Sequence, residues 1–171
     1  MPKSRRILSI PFIPFIPVEY SHIERRGTRG GNIMIHIDDE MRRRIDNALA
    51  DRCPMFIATV SPDGEPQISM RGSVLVFDRE TLAFWERGWR NSAANIENGS
   101  KIVLFYRHPT DRVNLRFYGT ATMYRSGAIR DNVMSRTVPG ELDRDPDRIG
   151  AAVLVRLYRI NQLSGEVLQE L

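Results

Sequence analysis

Cysteine is close to absent from this chain. Cys53 is the only one, so no intrachain disulfide can form and an oxidising compartment is not implied. In "DRCPMF", at a helix-to-strand junction, it reads as a semi-buried structural thiol. Histidine is scarce as well: His22, His36 and His108 are the only three. None of them has a Cys, Asp or Glu at the spacing of a metal site, and no bound metal is expected. The patterns G-x-G-x-x-G, G-x-x-x-x-G-K-[ST] and G-x-S-x-G are all missing, which argues against a dinucleotide fingerprint, a P-loop and a nucleophile elbow. No apolar run reaches the roughly 18 residues that span a membrane. The nearest, "ILSIPFIPFIPV" from Ile7 to Val18, is interrupted by three prolines and followed by no small-residue cleavage site. A cytoplasmic protein with no membrane partner is therefore expected. Lysine is nearly missing too, and arginine carries almost all of the basic excess, a formal net charge of +4 with a pI near 9.6. Arginine's planar fork suits bidentate contacts to phosphate or carboxylate, so an anionic ligand is the first expectation.

What is there describes one globular domain with an appendage. Hydrophobic residues make up 42% and charged residues 27% of the 171, values that fit a packed core rather than disorder. Residues 1–33 hold the Pro-rich stretch and "ERRGTRGGN", which have no periodicity and are expected to form an arm or tail. Patterned sequence occupies 34–171. Asp38 is a candidate N-cap for "DEMRRRIDNALADR", in which Met41, Ile45, Ala48 and Leu49 share a face and Pro54 follows. "MFIATV" and "PQISM" flank the turn "SPDGE" as one hairpin, and "SVLVF" and "TLAFWE" form a second. The second hairpin is apolar on both faces, as in a barrel wall or a subunit interface. A short helix is expected over 92–98, closed by Gly99. "KIVLFYR" and the cleanly alternating "RVNLRFYGTATMYR" are strands, "GAIRDNVMSR" is a helix, and "PGELDRDPDR" is a charged loop that could cover a site. "AAVLVRLYRINQLSGEVLQ" supplies a long strand bent near Arg159. Six or seven antiparallel strands with three short helices close most economically as a barrel, because closure removes edge strands.

With no metal set and no nucleophile motif, any chemistry is expected to come from a cofactor. The residues that could hold one cluster around the second hairpin. Arg71 precedes its first strand, and Arg87, Arg90, Asn91 and Ser92 follow its second, where a strand hands over to a helix. An antiparallel return brings those two ends together. The opening helix adds backbone N–H groups free to meet an anion, and the set forms a cradle suited to phosphate. An exposed arginine rim with Ser92 as a simple N-cap is the plain alternative. Nucleic acid is not expected, since the arginines are not interleaved with exposed aromatics on one sheet face.

The stretch from Met55 to Ser100, "MFIATVSPDGEPQISMRGSVLVFDRETLAFWERGWRNSAANIENGS", resembles the FMN-binding split-barrel family of pyridoxamine 5′-phosphate oxidase and its relatives. The match lies in the order of hairpin, arginine-led strand, aromatic-ended strand, polar stretch and helix ending "IEN". It covers roughly Asp38 to Gln169, specific in order and loose in identity. The resemblance implies a mainly β fold, an antiparallel split β-barrel with short flanking helices. It also implies FMN as cofactor, a homodimer with FMN at the subunit interface, and a small-molecule substrate. By position, Arg71 corresponds to an arginine on the FMN phosphate, and Met70, Gly72 and Ser73 to the strand along the flavin ring. Trp85 and Glu86 correspond to the aromatic-plus-polar pair after it. Arg90, Asn91 and Ser92 correspond to a Ser-Arg-Lys phosphate stretch, with Arg87 or Arg90 standing in for the lysine lost at Ser92. Asn114 falls where relatives carry a glutamine that reaches the cofactor of the other subunit. Enzymes that oxidise vitamin B6 grip their substrate with an Arg-x-His near the C-terminus, and no histidine follows His108 here. The implied activity is therefore a flavin-dependent oxidoreductase of unassigned substrate, with no catalytic side chain singled out. FMN binding without turnover, as in a stress-response protein, and a relative holding deazaflavin or haem are the alternatives.

Overall fold

The computed structural model describes residues 34–171; the expected arm over 1–33 lies outside the described residues. Asp38 caps α1 (Asp39–Asp46), its side chain accepting from the Met41 N–H at 2.7 Å, and Met41 and Ile45 are buried beneath it. The strands that follow are β1 (Met55–Val60), β2 (Pro66–Arg71), β3 (Leu75–Val76), β4 (Thr81–Glu86), β5 (Lys101–His108), β6 (Val113–Tyr124), β7 (Ala151–Gln162) and β8 (Val167–Glu170). Between them lie α2 (Asn91–Glu97), α3 (Ala128–Arg136) and α4 (Pro139–Leu142). All strand pairs are antiparallel, in the order β2-β1-β5-β6-β7-β4-β3, with β8 pairing the end of β7 beyond the stretch that β4 pairs. This is a mainly β fold, an antiparallel sheet curled into a split barrel with short helices.

Eight strands replace the expected six or seven because the C-terminal segment turns back on itself near Gly165, where φ is +99°. The bend expected near Arg159 is a bulge. Pairing of β6 with β7 shifts between Tyr118 and Gly119, so Tyr118 faces Arg159 and Gly119 faces Leu157. One residue of β7 is left over, which bends and twists the strand. The alternation read in β6 puts Leu115, Phe117 and Gly119 inside. They join Ile57, Leu82, Phe84, Leu104, Tyr106 and Val155 in the barrel core.

β4 is buried at all six positions, as its two apolar faces lead one to expect. The second cover comes from the same chain. Ala83 packs with Leu75, Val133 of α3 and Ala152 of β7. The short strand β3 would expose unpaired backbone on its outer side, and side chains take its place. The Val76 N–H donates to Asp46 at 2.7 Å, and the Val76 carbonyl accepts from Arg136 at 2.6 Å.

Candidate functional site

β2 and β4 stand near opposite ends of the strand order, and the curl of the sheet brings their last residues together. Arg71 ends β2, and its guanidinium donates to the Glu86 carboxylate at the end of β4. The same Nη2 donates to Ser92 Oγ in the first turn of α2 at 2.7 Å. Its Nη1 donates to Ser69 Oγ at 3.1 Å and to the Met70 carbonyl at 3.0 Å. The guanidinium also lies 5.4 Å from the ring centroid of Phe84. Arg71 Nε is buried and has no partner among the described residues. Glu86 is 3% exposed; its Oε1 accepts from the Gly88 N–H at 2.9 Å, and Ser92 Oγ stands 3.4 Å from its Oε2. The convergence read from the antiparallel return therefore holds for Arg71 and Ser92, and Glu86, which that reading did not include, joins them. α2 begins one residue earlier than expected, with Arg90 as its N-cap. Ser92 does not cap the helix; it sits inside the first turn and points its hydroxyl at Arg71.

The remaining expected residues divide. Gly72 leaves β2 beside Glu141 of α4: a Cβ there would meet Glu141 Oε1 at 2.7 Å, so only glycine fits without moving that carboxylate. Ser73 sits where the β3–β4 ladder would place the partner of Trp85. Its Oγ accepts from the Trp85 N–H at 3.1 Å and donates to the Trp85 carbonyl at 3.2 Å, replacing a backbone pair. Met70 is exposed on the outward face of β2. Arg87 is half-exposed and lies 3.7 Å from Glu141, while Arg90 and Asn91 are exposed at the start of α2. Trp85 turns away from the cluster, as alternation along a strand requires. Its indole N–H donates to Asp145 at 2.8 Å, and Arg130 stacks 4.8 Å from its ring centroid. Trp89 carries Arg125 over its face at 4.2 Å.

Asn114 stands on β6, opposite Arg107 of β5. Three strand spacings, about 14 Å along the sheet, separate β6 from β2. The Asn114 Nδ2 donates to the Arg112 carbonyl at 3.1 Å, and its Oδ1 is buried with no partner among the described residues. Two contributors escaped the sequence reading. Glu141 reaches the site because Pro139, at the first position of α4, starts a helical turn inside the charged loop; that proline was the available signal. Asp145 anchors Trp85 from the same loop, and nothing local announces it. Among the described residues no group of three or more His, Cys, Asp or Glu is placed to hold a metal ion, and no helix is long and apolar enough to cross a membrane.

The sequence of this split barrel matches a known family. Residues 39–157 fit the family model described as pyridoxamine 5′-phosphate oxidase. The chain belongs to the pyridoxamine 5′-phosphate oxidase family. No curated protein matches the sequence. Among solved structures, HupZ of group A Streptococcus is similar at 26% identity and a TM-score of 0.61, over 77% of this chain and 98% of that one. An FMN-binding protein from Syntrophomonas wolfei has 18% identity and a TM-score of 0.57, over 72% and 84%. A pyridoxamine 5′-phosphate oxidase-related, FMN-binding protein from Nostoc punctiforme has 16% identity and a TM-score of 0.53, over 74% and 83%. At those identities the last two share the fold.

The residues present fit a flavin in two respects: among the described residues, Arg71 keeps one buried donor and Asn114 one buried acceptor without a partner. One feature opposes a phosphate: the Glu86 carboxylate already sits on Arg71.

Proposed function

We propose that the protein binds a flavin, FMN, between two copies of the chain, and acts as a flavin-dependent oxidoreductase on a small molecule. The convergence of Arg71 and Ser92 at the end of β2 carries this reading. Arg71, Ser92 and the exposed Arg90 would stand at the phosphate end, where Glu86 holds the Arg71 guanidinium, and the segment from Met70 to Ser73 would lie along the ring system. The flavin supplies hydride or electron transfer when bound; the chain orients it and shields it from water. A second copy is part of the proposal for two reasons. Asn114 stands three strands from Arg71 in the sheet, a placement that suits it to a ligand shared with a second copy. The outward face of β1 and β2 is also uniformly apolar. Phe56 pairs with Met70, Ala58 with Ile68 and Val60 with Pro66, and Ile68 is 70% exposed. Contiguous apolar surface of this kind marks an interaction site.

The test is the visible spectrum of the purified protein. Flavin bands, lost from the protein and recovered in the supernatant on denaturation, are expected, as is quenching of flavin fluorescence when FMN is titrated into protein stripped of ligand. A Soret band would assign the cleft to haem instead. A colourless protein that leaves FMN fluorescence unquenched would overturn the reading.

A further inference from the structure

The anion-binding end of the site already holds an anion belonging to the chain. Both oxygens of Glu86 are engaged, Oε2 with the Arg71 guanidinium and Oε1 with the Gly88 N–H at 2.9 Å. Gly88 permits that approach, since a Cβ there would stand 3.3 Å from Oε1. The carboxylate is therefore held from two directions, and releasing Arg71 would not free it. A phosphate monoester carries about −1.5 to −2 charges at neutral pH. Placing it on Arg71 sets it against the buried Glu86 carboxylate already paired with that guanidinium, and like charges at short range in a low dielectric repel strongly. Breaking the buried pair to make room leaves the Glu86 carboxylate without its cationic partner, which is costly in a buried site. The nearest other cations give weak relief. Arg90 is exposed, and Arg87 is half-exposed beside Glu141, where solvent screens their charges.

We propose that Glu86 is a specificity-determining residue that withholds Arg71 from the cofactor's phosphate. The site then binds flavins through the ring and the polyol chain and distinguishes little between FMN and riboflavin. This rests on the flavin reading above. Glutamine at this position keeps the shape and an acceptor for the Gly88 N–H while removing the charge.

The experiment titrates full-length wild-type protein and Glu86→Gln with FMN and with riboflavin, following flavin fluorescence. In the wild type the two dissociation constants are expected to agree within about threefold. In Glu86→Gln, FMN is expected to bind about tenfold more tightly or better, the effect of one charge-assisted hydrogen bond, with riboflavin little changed. A wild type preferring FMN by tenfold overturns the inference and leaves the flavin reading standing. So does a folded Glu86→Gln protein whose FMN affinity is unchanged or weaker. If neither flavin binds either protein, the flavin reading fails. Thermal melts in inorganic phosphate against chloride at matched ionic strength then decide the role of Glu86. Phosphate should raise the melting temperature of Glu86→Gln and not of the wild type, and equal responses overturn the inference. Should Glu86→Gln not fold, the wild-type FMN-to-riboflavin ratio decides alone.

Discussion

Trp85 and Glu86 are neighbours in sequence with opposite surroundings, because consecutive side chains of β4 point to opposite faces. Glu86 meets Arg71, whereas Trp85 is 2% exposed and tied to Asp145. Burial alone would push the Asp145 carboxyl up. Donors outweigh it: the Gly150 N–H at 2.9 Å, the Trp85 indole and the Ile149 N–H, with Arg148 nearby, hold it below the usual carboxylate range. A carboxyl depressed in the folded state contributes stability above its ordinary value of 3.8 and loses it as pH falls through the lowered folded value. Denaturant unfolding of the wild type should therefore show stability declining as the medium is acidified below that value. Asp145→Asn is expected to lose about 1–3 kcal/mol at neutral pH, from donors left imperfectly paired, and to show a shallower acid decline. An unchanged acid slope would remove Asp145 as the cause. Arg71 and Ser92 were legible in the sequence as a pair because a hairpin return predicts their meeting. The anchoring of Trp85 by Asp145 was not, since that partner lies 60 residues away.

At the scale of elements, local pattern located most strands and missed what divides them. The alternation of β6 and the Pro-Asp-Gly turn of the first hairpin needed only neighbours in sequence. The separation of β7 from β8, and the reduction of "SVLVF" to a two-residue strand with Ser73 bonding through its side chain, depend on backbone partners in other strands. Gly119 shows the same dependence. Beside the β6–β7 bulge, a Cβ on it would meet the Arg156 carbonyl at 2.6 Å and Val155 Cγ1 at 2.6 Å. Neither obstacle can swing aside, one being backbone and the other a packed β-branched core residue. Gly119→Ala is expected to destabilise the fold by about 1–3 kcal/mol, read as a fall in denaturation midpoint with an unchanged slope. Gly140→Ala, with nothing within 4 Å of the added atom, is the control and should fold as the wild type does.

For the whole molecule, the outward face of β1 and β2 is the surface on which the proposed dimer depends. Ile68 is its most exposed apolar side chain, with Met70 at 57% beside it. Ile68→Glu is expected to shift sedimentation from dimer to monomer while the far-ultraviolet spectrum stays native, and to weaken flavin binding if Asn114 serves the partner's site. A wild type that sediments as a monomer at micromolar concentration would remove both. The burial of β4 on two faces, which in sequence could have meant a subunit interface, turned out to be the work of α3 in the same chain. What the sequence determined by itself is whatever depends on residues a few positions apart: the helix caps, the alternation of strands, the arginine-led order that carries the family. Only the tertiary structure decided that the curl of the sheet would close Glu86 onto Arg71, and that α4 would set Glu141 over Gly72. The physical reason is that a charge declares its residue type locally, but whether it is a ligand's partner or a neighbour's depends on what the fold places within reach of it.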